Sequence, residues 1–275
     1  MSRVAHTAHG GHAAKKRFGQ NFLHDTNVIE RIIRSIHPQP QDRLIEIGPG
    51  LGALTAPLLQ RLGHLRVIEL DRDVVPHLRA ACGDNAHLEI IMADALKVDY
   101  SALAPAGEKL RLIGNLPYNI STPILFHLLR HADRIRDMHF MLQKEVVDRM
   151  CAEPGDDDYG RLTVTLAARA EAVKLFTVGP GAFTPAPKVD SAIVRLTPRP
   201  APFEITDLGT FDRVVTAAFG QRRKTLSNGL KGLLTAAQIG AVGIDPGIRA
   251  ERLGPAQFAL LANQVDPTRG IPPEN

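Results

Sequence analysis

Four short stretches carry residue types that could do chemistry on a nucleoside. Gly48, Gly50 and Gly52 follow the apolar run Leu44–Ile47 at alternate positions, where backbone can pass close to a ligand. Glu69 ends the next apolar run, 21 residues after Gly48, and a carboxylate there can accept hydrogen bonds from ribose hydroxyls. Asp94, in Ala93-Asp94-Ala95, ends a third run and can accept from an adenine amino group. Asn115-Leu116-Pro117-Tyr118 ends a fourth. There the Asn115 side-chain carbonyl and the Leu116 or Pro117 backbone carbonyl can accept the two hydrogens of an exocyclic base amine. Such an amine is a poor nucleophile, because its lone pair is delocalised into the ring. Two acceptors that hold it toward tetrahedral geometry, in line with an electrophilic carbon, activate it without a general base. Tyr118 can stack on the base. Each stretch alone also reads as a plain turn. Gly48-x-Gly50-x-x-Ala53 with Glu69 further satisfies the loose dinucleotide fingerprint, so these features by themselves leave nicotinamide chemistry open.

The elements that must position these residues alternate along the chain. An apolar stripe at Val28, Ile29, Ile32, Ile33 and Ile36, with Asp25 able to cap it and Pro38 and Pro40 beyond it, predicts a helix. Strand Leu44–Ile47, helix Ala53–Leu62, strand Leu65–Leu70, helix Val74–Ala81 and strands Leu88–Met92 and Leu110–Gly114 follow. Then come a helix at about Pro123–Arg130, strand Met138–Leu142, helices from Lys144 and Arg161, and strands near Val173–Val178 and Ala192–Leu196. Strand and helix in alternation predict a parallel, doubly wound α/β sheet, whose ligands bind beyond the carboxyl ends of the strands where strand order reverses. The last two strands, joined by the Gly/Pro-rich 179–188, are expected to pair antiparallel at the end of that sheet. Pro198, Pro200 and Pro202 punctuate a linker, and apolar spacing from Phe211 to Leu261 predicts a small all-helical domain. The expected organisation is a disordered leader over 1–14, an α/β domain over 15–200 and a helical domain over 201–275.

Composition bounds the rest. The chain has 275 residues, 44% hydrophobic and 23% charged, which fits a globular protein able to bury a sizeable core. Its two cysteines, Cys82 and Cys151, form neither a disulfide framework nor a metal-ligand spacing, so a reducing cytoplasm is expected and no metal site. No run is long and apolar enough for a membrane span. The net charge of +4 is small, but Lys15-Lys16-Arg17 and Arg222-Arg223-Lys224 concentrate positive charge where a phosphate backbone can be tracked.

Glycine loop, Glu69 and Asp94 at three successive strand ends look like the S-adenosylmethionine pocket of the class I, Rossmann-like methyltransferases. The likeness narrows when motifs are taken in order. Phe18-Gly19-Gln20-Asn21-Phe22-Leu23, Glu46-Ile47-Gly48-Pro49-Gly50, Asn115–Tyr118, Phe183–Ser191 and Ala218–Leu226 together resemble the ribosomal RNA adenine N6,N6-dimethyltransferase family over nearly the whole chain. The resemblance implies S-adenosylmethionine contacts from Asn21, Leu23, Gly48, Gly50, Glu69, Asp94 and Asn115. It implies a target adenine held by Asn115, Leu116 and Pro117 and stacked between Tyr118 and Phe183. It also implies RNA contacts from Lys15, Lys16, Arg17, Arg222, Arg223 and Lys224. The Ala218–Leu226 segment is most similar to the bacterial branch that dimethylates two adjacent adenines in the 3′-terminal hairpin of 16S rRNA. The expected partner is therefore 16S rRNA in an immature small subunit, met by a cytoplasmic monomer. Two alternatives stand beside this reading: a large-subunit adenine methyltransferase conferring antibiotic resistance, and a mainly noncatalytic ribosome-assembly factor.

Overall fold

A computed structural model describes residues 21–266 apart from Asp84, Asn119, Arg222 and Arg223. The expected leader and the candidate RNA contacts Lys15, Lys16, Arg17, Arg222 and Arg223 lie outside the described residues.

Within the described residues, contacts divide the chain into two compact units. One runs to Val147 and resumes over Val173–Pro198; the other comprises Asp148–Ala172 and the chain from Arg199. The second unit is therefore discontinuous, which differs from the expected single boundary near residue 200. The physical reason is visible in its core, where Tyr159, Val164 and Ala168 are buried in one cluster with Phe211, Val214, Leu230, Leu253 and Phe258. An apolar helix face in the middle of the chain is covered by the C-terminal helices.

The first unit is built on β1 (Phe22–Leu23), α1 (Thr26–Ile36), β2 (Arg43–Ile47), α2 (Thr55–Leu62), β3 (Leu65–Glu69), α3 (Val75–Ala81) and β4 (Leu88–Met92). It continues with α4 (Tyr100–Leu103), β5 (Leu110–Asn115), α5 (Ser121–Leu129) and β6 (Ile135–Gln143). Two elements straddle the division, α6 (Lys144–Cys151) and β7 (Ala170–Val178), and α7 (Arg161–Ala167) falls between them. β8 (Phe183–Thr184) and β9 (Ser191–Pro198) complete the first unit. The second unit adds α8 (Leu208–Phe219), α9 (Leu226–Gly229), α10 (Ala236–Ala241) and α11 (Pro255–Ala262) to α7.

Seven strands form one sheet in the order β4-β3-β2-β5-β6-β9-β7. The β4-β3-β2-β5-β6 part is parallel throughout, and β9 joins antiparallel to β6. Strand order runs outward from β2 to β4, then reverses to β5 and β6. Right-handed crossovers consequently send α2 and α3 to one face and α5 to the other, and α1 packs on the α2–α3 face. Strand alternation matches: Leu44, Val67, Ile113 and Met141 pack with Ile33 of α1, Leu58 of α2 and Leu78 of α3. The other set, Ile45, Leu112, Phe140 and Leu142, is equally buried, as are Ile124, Leu125 and Leu128 of α5. The switch point lies between β2 and β5, so the chain leaving Ile47 and the chain leaving Asn115 emerge side by side. Gly114 makes that possible, because a Cβ there would run into the Ile47 carbonyl oxygen.

α1 begins where expected, with the Asp25 carboxylate accepting from the Asn27 and Val28 amides, and ends at Ile36 before left-handed His37. Two short strands were not foreseen. β1 pairs antiparallel with β8, Phe22 opposite Thr184 and Leu23 opposite Phe183, and the His24 amide donates to the Ala182 carbonyl at 2.9 Å.

Candidate functional site

At the switch point the first unit holds a cavity of about 300 Å³ lined by 21–23, the glycine loop, the ends of β3 and β4, and the start of the chain after β5. Asn21, Leu23, Gly48, Gly50, Glu69, Asp94, Asn115, Leu116, Pro117 and Tyr118 all line it. Ten of the residues singled out in sequence thus meet in one place, though they are spread over almost a hundred positions.

The glycine loop turns on left-handed backbone at Gly48 (φ 67°) and Gly50 (φ 55°). At Gly50 space matters as well as φ: an added Cβ would sit 3.2–3.3 Å from the Phe22 ring. Phe22, held on β1, closes against the loop only because the loop lacks a side chain there.

Glu69 is nearly buried, and its Oε1 accepts from the Leu70 and Asp71 amides at 2.8 and 2.7 Å. Burial raises its carboxyl pKa, while amides of Asp71, Leu70 and Gly50 pull it back down. The Asp94 Oδ1 accepts from the Leu96 amide at 3.0 Å, which fixes the turn after β4. Between these acids Leu70 lies 53% exposed, an apolar side chain in the cavity wall where a planar ring can rest. Sequence reasoning passed over Leu70; a large apolar residue directly after a strand-end acid was the available signal.

Glu46 is a second residue it passed over. It lies beneath the glycine loop, 2% exposed, and accepts a hydrogen bond from Thr55 Oγ1 at 2.7 Å. Burial pushes its carboxyl up to about 7, with Thr55 opposing and the charge of Glu69 adding to the rise.

Asn115 donates through Nδ2 to the Asn21 carbonyl at 3.0 Å, tying the N-terminal segment to the end of β5 and leaving Oδ1 as an acceptor. The Pro117 carbonyl already accepts from the Ile120 amide at 3.2 Å. The Leu116 amide donates to Met141 on β6, and among the described residues the Leu116 carbonyl accepts no hydrogen bond. Of the two candidate backbone acceptors, Pro117 is the one with a partner among the described residues. Tyr118 is half-buried, its hydroxyl 2.8 Å from Ser191 Oγ; burial raises its phenol pKa, so it stays protonated at neutral pH.

Phe183 is placed elsewhere. It is 3% exposed, pairs through β8 with Leu23, packs in the cluster with Ile33 and Leu58, and does not line the cavity. There it supports β1, with its ring covered by the apolar core. Lys224 is exposed.

Comparison with known proteins follows the same lines. The family model described as ribosomal RNA adenine dimethylase matches residues 11–266. Ribosomal RNA small subunit methyltransferase A of Pseudomonas aeruginosa is 55% identical over 92% of this chain and 95% of its own. The protein of that name from Aromatoleum aromaticum is 56% identical over the same shares. Among solved structures, a dimethyladenosine transferase from Plasmodium falciparum superposes with TM-score 0.72 at 26% identity, covering 87% of this chain and 95% of that one. The 23S rRNA methyltransferase ErmE superposes with TM-score 0.70 at 27% identity, covering 89% and 99%. With a family model spanning every described residue and relatives more than half identical, the chain belongs to the ribosomal RNA adenine dimethylase family.

Proposed function

We propose that this protein dimethylates N6 of two adjacent adenines in the 3′-terminal hairpin of 16S rRNA, using S-adenosylmethionine, during maturation of the small subunit. The observation that carries the reading is the convergence of Glu69, Asp94 and Asn115–Tyr118 on one cavity at the switch point. The naming of relatives more than half identical for the small subunit supports that subunit over the large one.

The residues fit the cofactor. Glu69 offers a fixed carboxylate to ribose hydroxyls, Asp94 an acceptor for the adenine amine, and Leu70 an apolar surface for the adenine ring. The lack of side chains at Gly48 and Gly50 leaves room for the amino-acid end, and Asn21–Leu23 covers it. When bound, S-adenosylmethionine supplies an electrophilic methyl. The protein's part is positional: Asn115 Oδ1 and the Leu116 carbonyl accept the two N6 hydrogens, Tyr118 carries the base on its ring, and no residue needs to take the proton, which becomes acidic as N6 gains positive charge. Base–aromatic stacking worth about 1–3 kcal/mol offsets part of the few kcal/mol needed to unstack the adenine. Lys15, Lys16, Arg17, Arg222, Arg223 and Lys224 are assigned to phosphates, which bind by charge and shape. The protein acts as a cytoplasmic monomer in this reading.

The test is methyl transfer from labelled S-adenosylmethionine to immature small subunits lacking the modification, with large subunits in parallel, followed by nucleoside analysis. Dimethyladenosine on the small subunit alone is expected; product on the large subunit, or binding without transfer, overturns the reading. In the same assay Asn115→Ala loses transfer by at least about 10²-fold. Cofactor affinity, checked by calorimetry, falls far less than transfer, by about tenfold at most, since Asn115 also holds Asn21.

A further inference from the structure

Tyr118 is held at both ends by buried serines. Its carbonyl accepts from Ser121 Oγ at 3.2 Å, and its hydroxyl pairs with Ser191 Oγ at 2.8 Å. Ser121 is 2% exposed and Ser191 fully buried. Ser191 opens β9, directly opposite Gln143 at the end of β6, and the carbonyl of the preceding Asp190 accepts from the Lys144 amide at 2.9 Å. The hydroxyl that meets Tyr118 therefore stands on a fixed post at the start of an interior strand of the same sheet that carries Asn115.

We propose that Ser191 is a positioning residue that, through the Tyr118 hydroxyl, governs how far the reaction runs from mono- to dimethyladenine. The inference rests on the reading of Tyr118 as the surface under the target base. In each transfer the C–N6 bond forms as the C–S bond of the sulfonium breaks, the bonding pair stays on sulfur, and one N6 proton leaves to water. Before the first transfer the amine has two hydrogens for two acceptors, Asn115 Oδ1 and the Leu116 carbonyl. Afterwards it has one, and a methyl group occupies the other direction. Orientation of the amine for the second transfer then depends more heavily on the plane of the base, hence on the tilt of the Tyr118 ring. Freeing that ring at its outer edge costs the second transfer more than the first.

The experiment follows the appearance of N6-methyladenosine and N6,N6-dimethyladenosine over time on immature small subunits. It uses the wild type, Ser191→Ala, Tyr118→Phe and the double variant. Each single variant is expected to slow the second transfer relative to the first by about fivefold, the factor a single neutral hydrogen bond carries. Monomethyl product accumulates, the double variant is no worse than the poorer single one, and cofactor affinity is unchanged. Tyr118→Phe keeps the ring and the packing of a half-buried site, so it reports even if Ser191→Ala perturbs folding. Equal loss in both transfers, or losses that multiply in the double variant, overturns the proposal. A wild type that dimethylates normally beside a Ser191→Ala variant of unchanged product ratio overturns the proposal alone. A wild type that makes no dimethyladenosine overturns the underlying reading and the proposal with it.

Discussion

Gly50 shows how much a single missing side chain does at this site. Its φ of 55° costs a non-glycine residue about 1–2 kcal/mol, and a Cβ would press on Phe22 at 3.2–3.3 Å. Since Phe22 sits on the segment that covers the cavity, the strain is relieved most readily by lifting β1 off the loop. Gly50→Ala is therefore expected to weaken S-adenosylmethionine binding by about tenfold or more, with only a small loss of melting temperature. Calorimetric titration checks this, and unchanged affinity contradicts it. At this scale the sequence was most informative about residues whose chemistry is local and typed, such as Gly48, Glu69, Asp94 and Asn115. It said less about residues that matter through a partner distant in the chain. Ser191 and Tyr118 are 73 positions apart, and nothing in either residue's neighbours announces that their hydroxyls meet. Phe183 is the converse case, an aromatic in a recognisable motif whose ring the fold buries against β1.

Elements translate these local signals into position, and β5 does so at both ends. Its C-terminal end carries Asn115. Near its start Arg111, 5% exposed, donates to Asp42 at 2.6 Å, to Asp137 of β6 at 2.9 Å and to the Ile36 carbonyl that ends α1 at 2.7 Å. One guanidinium thus fixes β5 against β6 and against the helix covering that face. Removing it leaves the Asp42 and Asp137 carboxylates with only the exposed Arg136 guanidinium for counter-charge, a loss of about 3 kcal/mol, the low end for a broken buried pair. Arg111→Ala is expected to lose that much in urea unfolding; a loss below about 1 kcal/mol, the level of a surface pair, contradicts the network. The main strands and helices were legible because apolar runs and stripes persist over five or more residues. β1 and β8 were not. Two-residue strands carry no periodicity, and their pairing joins positions about 160 apart, Phe22 to Thr184, through contacts that only the finished sheet brings together.

At the scale of the molecule, the α/β order and the helical C-terminal part followed from the alternation of patterns. The discontinuous second unit did not, because α7 has the same kind of apolar face whether it covers a sheet or joins a bundle. Burial inside the first unit also sets how stability responds to pH. His139, on β6, is 4% exposed, and among the described residues neither ring nitrogen has a hydrogen-bond partner. Burial lowers its pKa from 6.5 to about 4, with nearby Asp137 opposing and Arg111 and Arg195 reinforcing. The native state refuses a proton that the unfolded state accepts, so this group's contribution is complete above pH 6.5 and is lost as pH falls toward 4. Glu46 acts in the opposite sense. Its pKa is raised from 4.5 to about 7, so its contribution is complete below pH 4.5 and is lost as pH rises toward 7. Each is worth a few kcal/mol over its window, and across pH 4.5–6.5 the two slopes oppose each other. His139→Leu leaves Glu46 acting alone, so the variant should gain stability relative to the wild type as pH falls through that window. Glu46→Gln leaves His139 acting alone and should lose it. Urea unfolding of the three proteins from pH 4.5 to 7 tests both signs at once, because groups common to all three cancel. Parallel curves would mean that neither buried group changes protonation between the folded and unfolded chain.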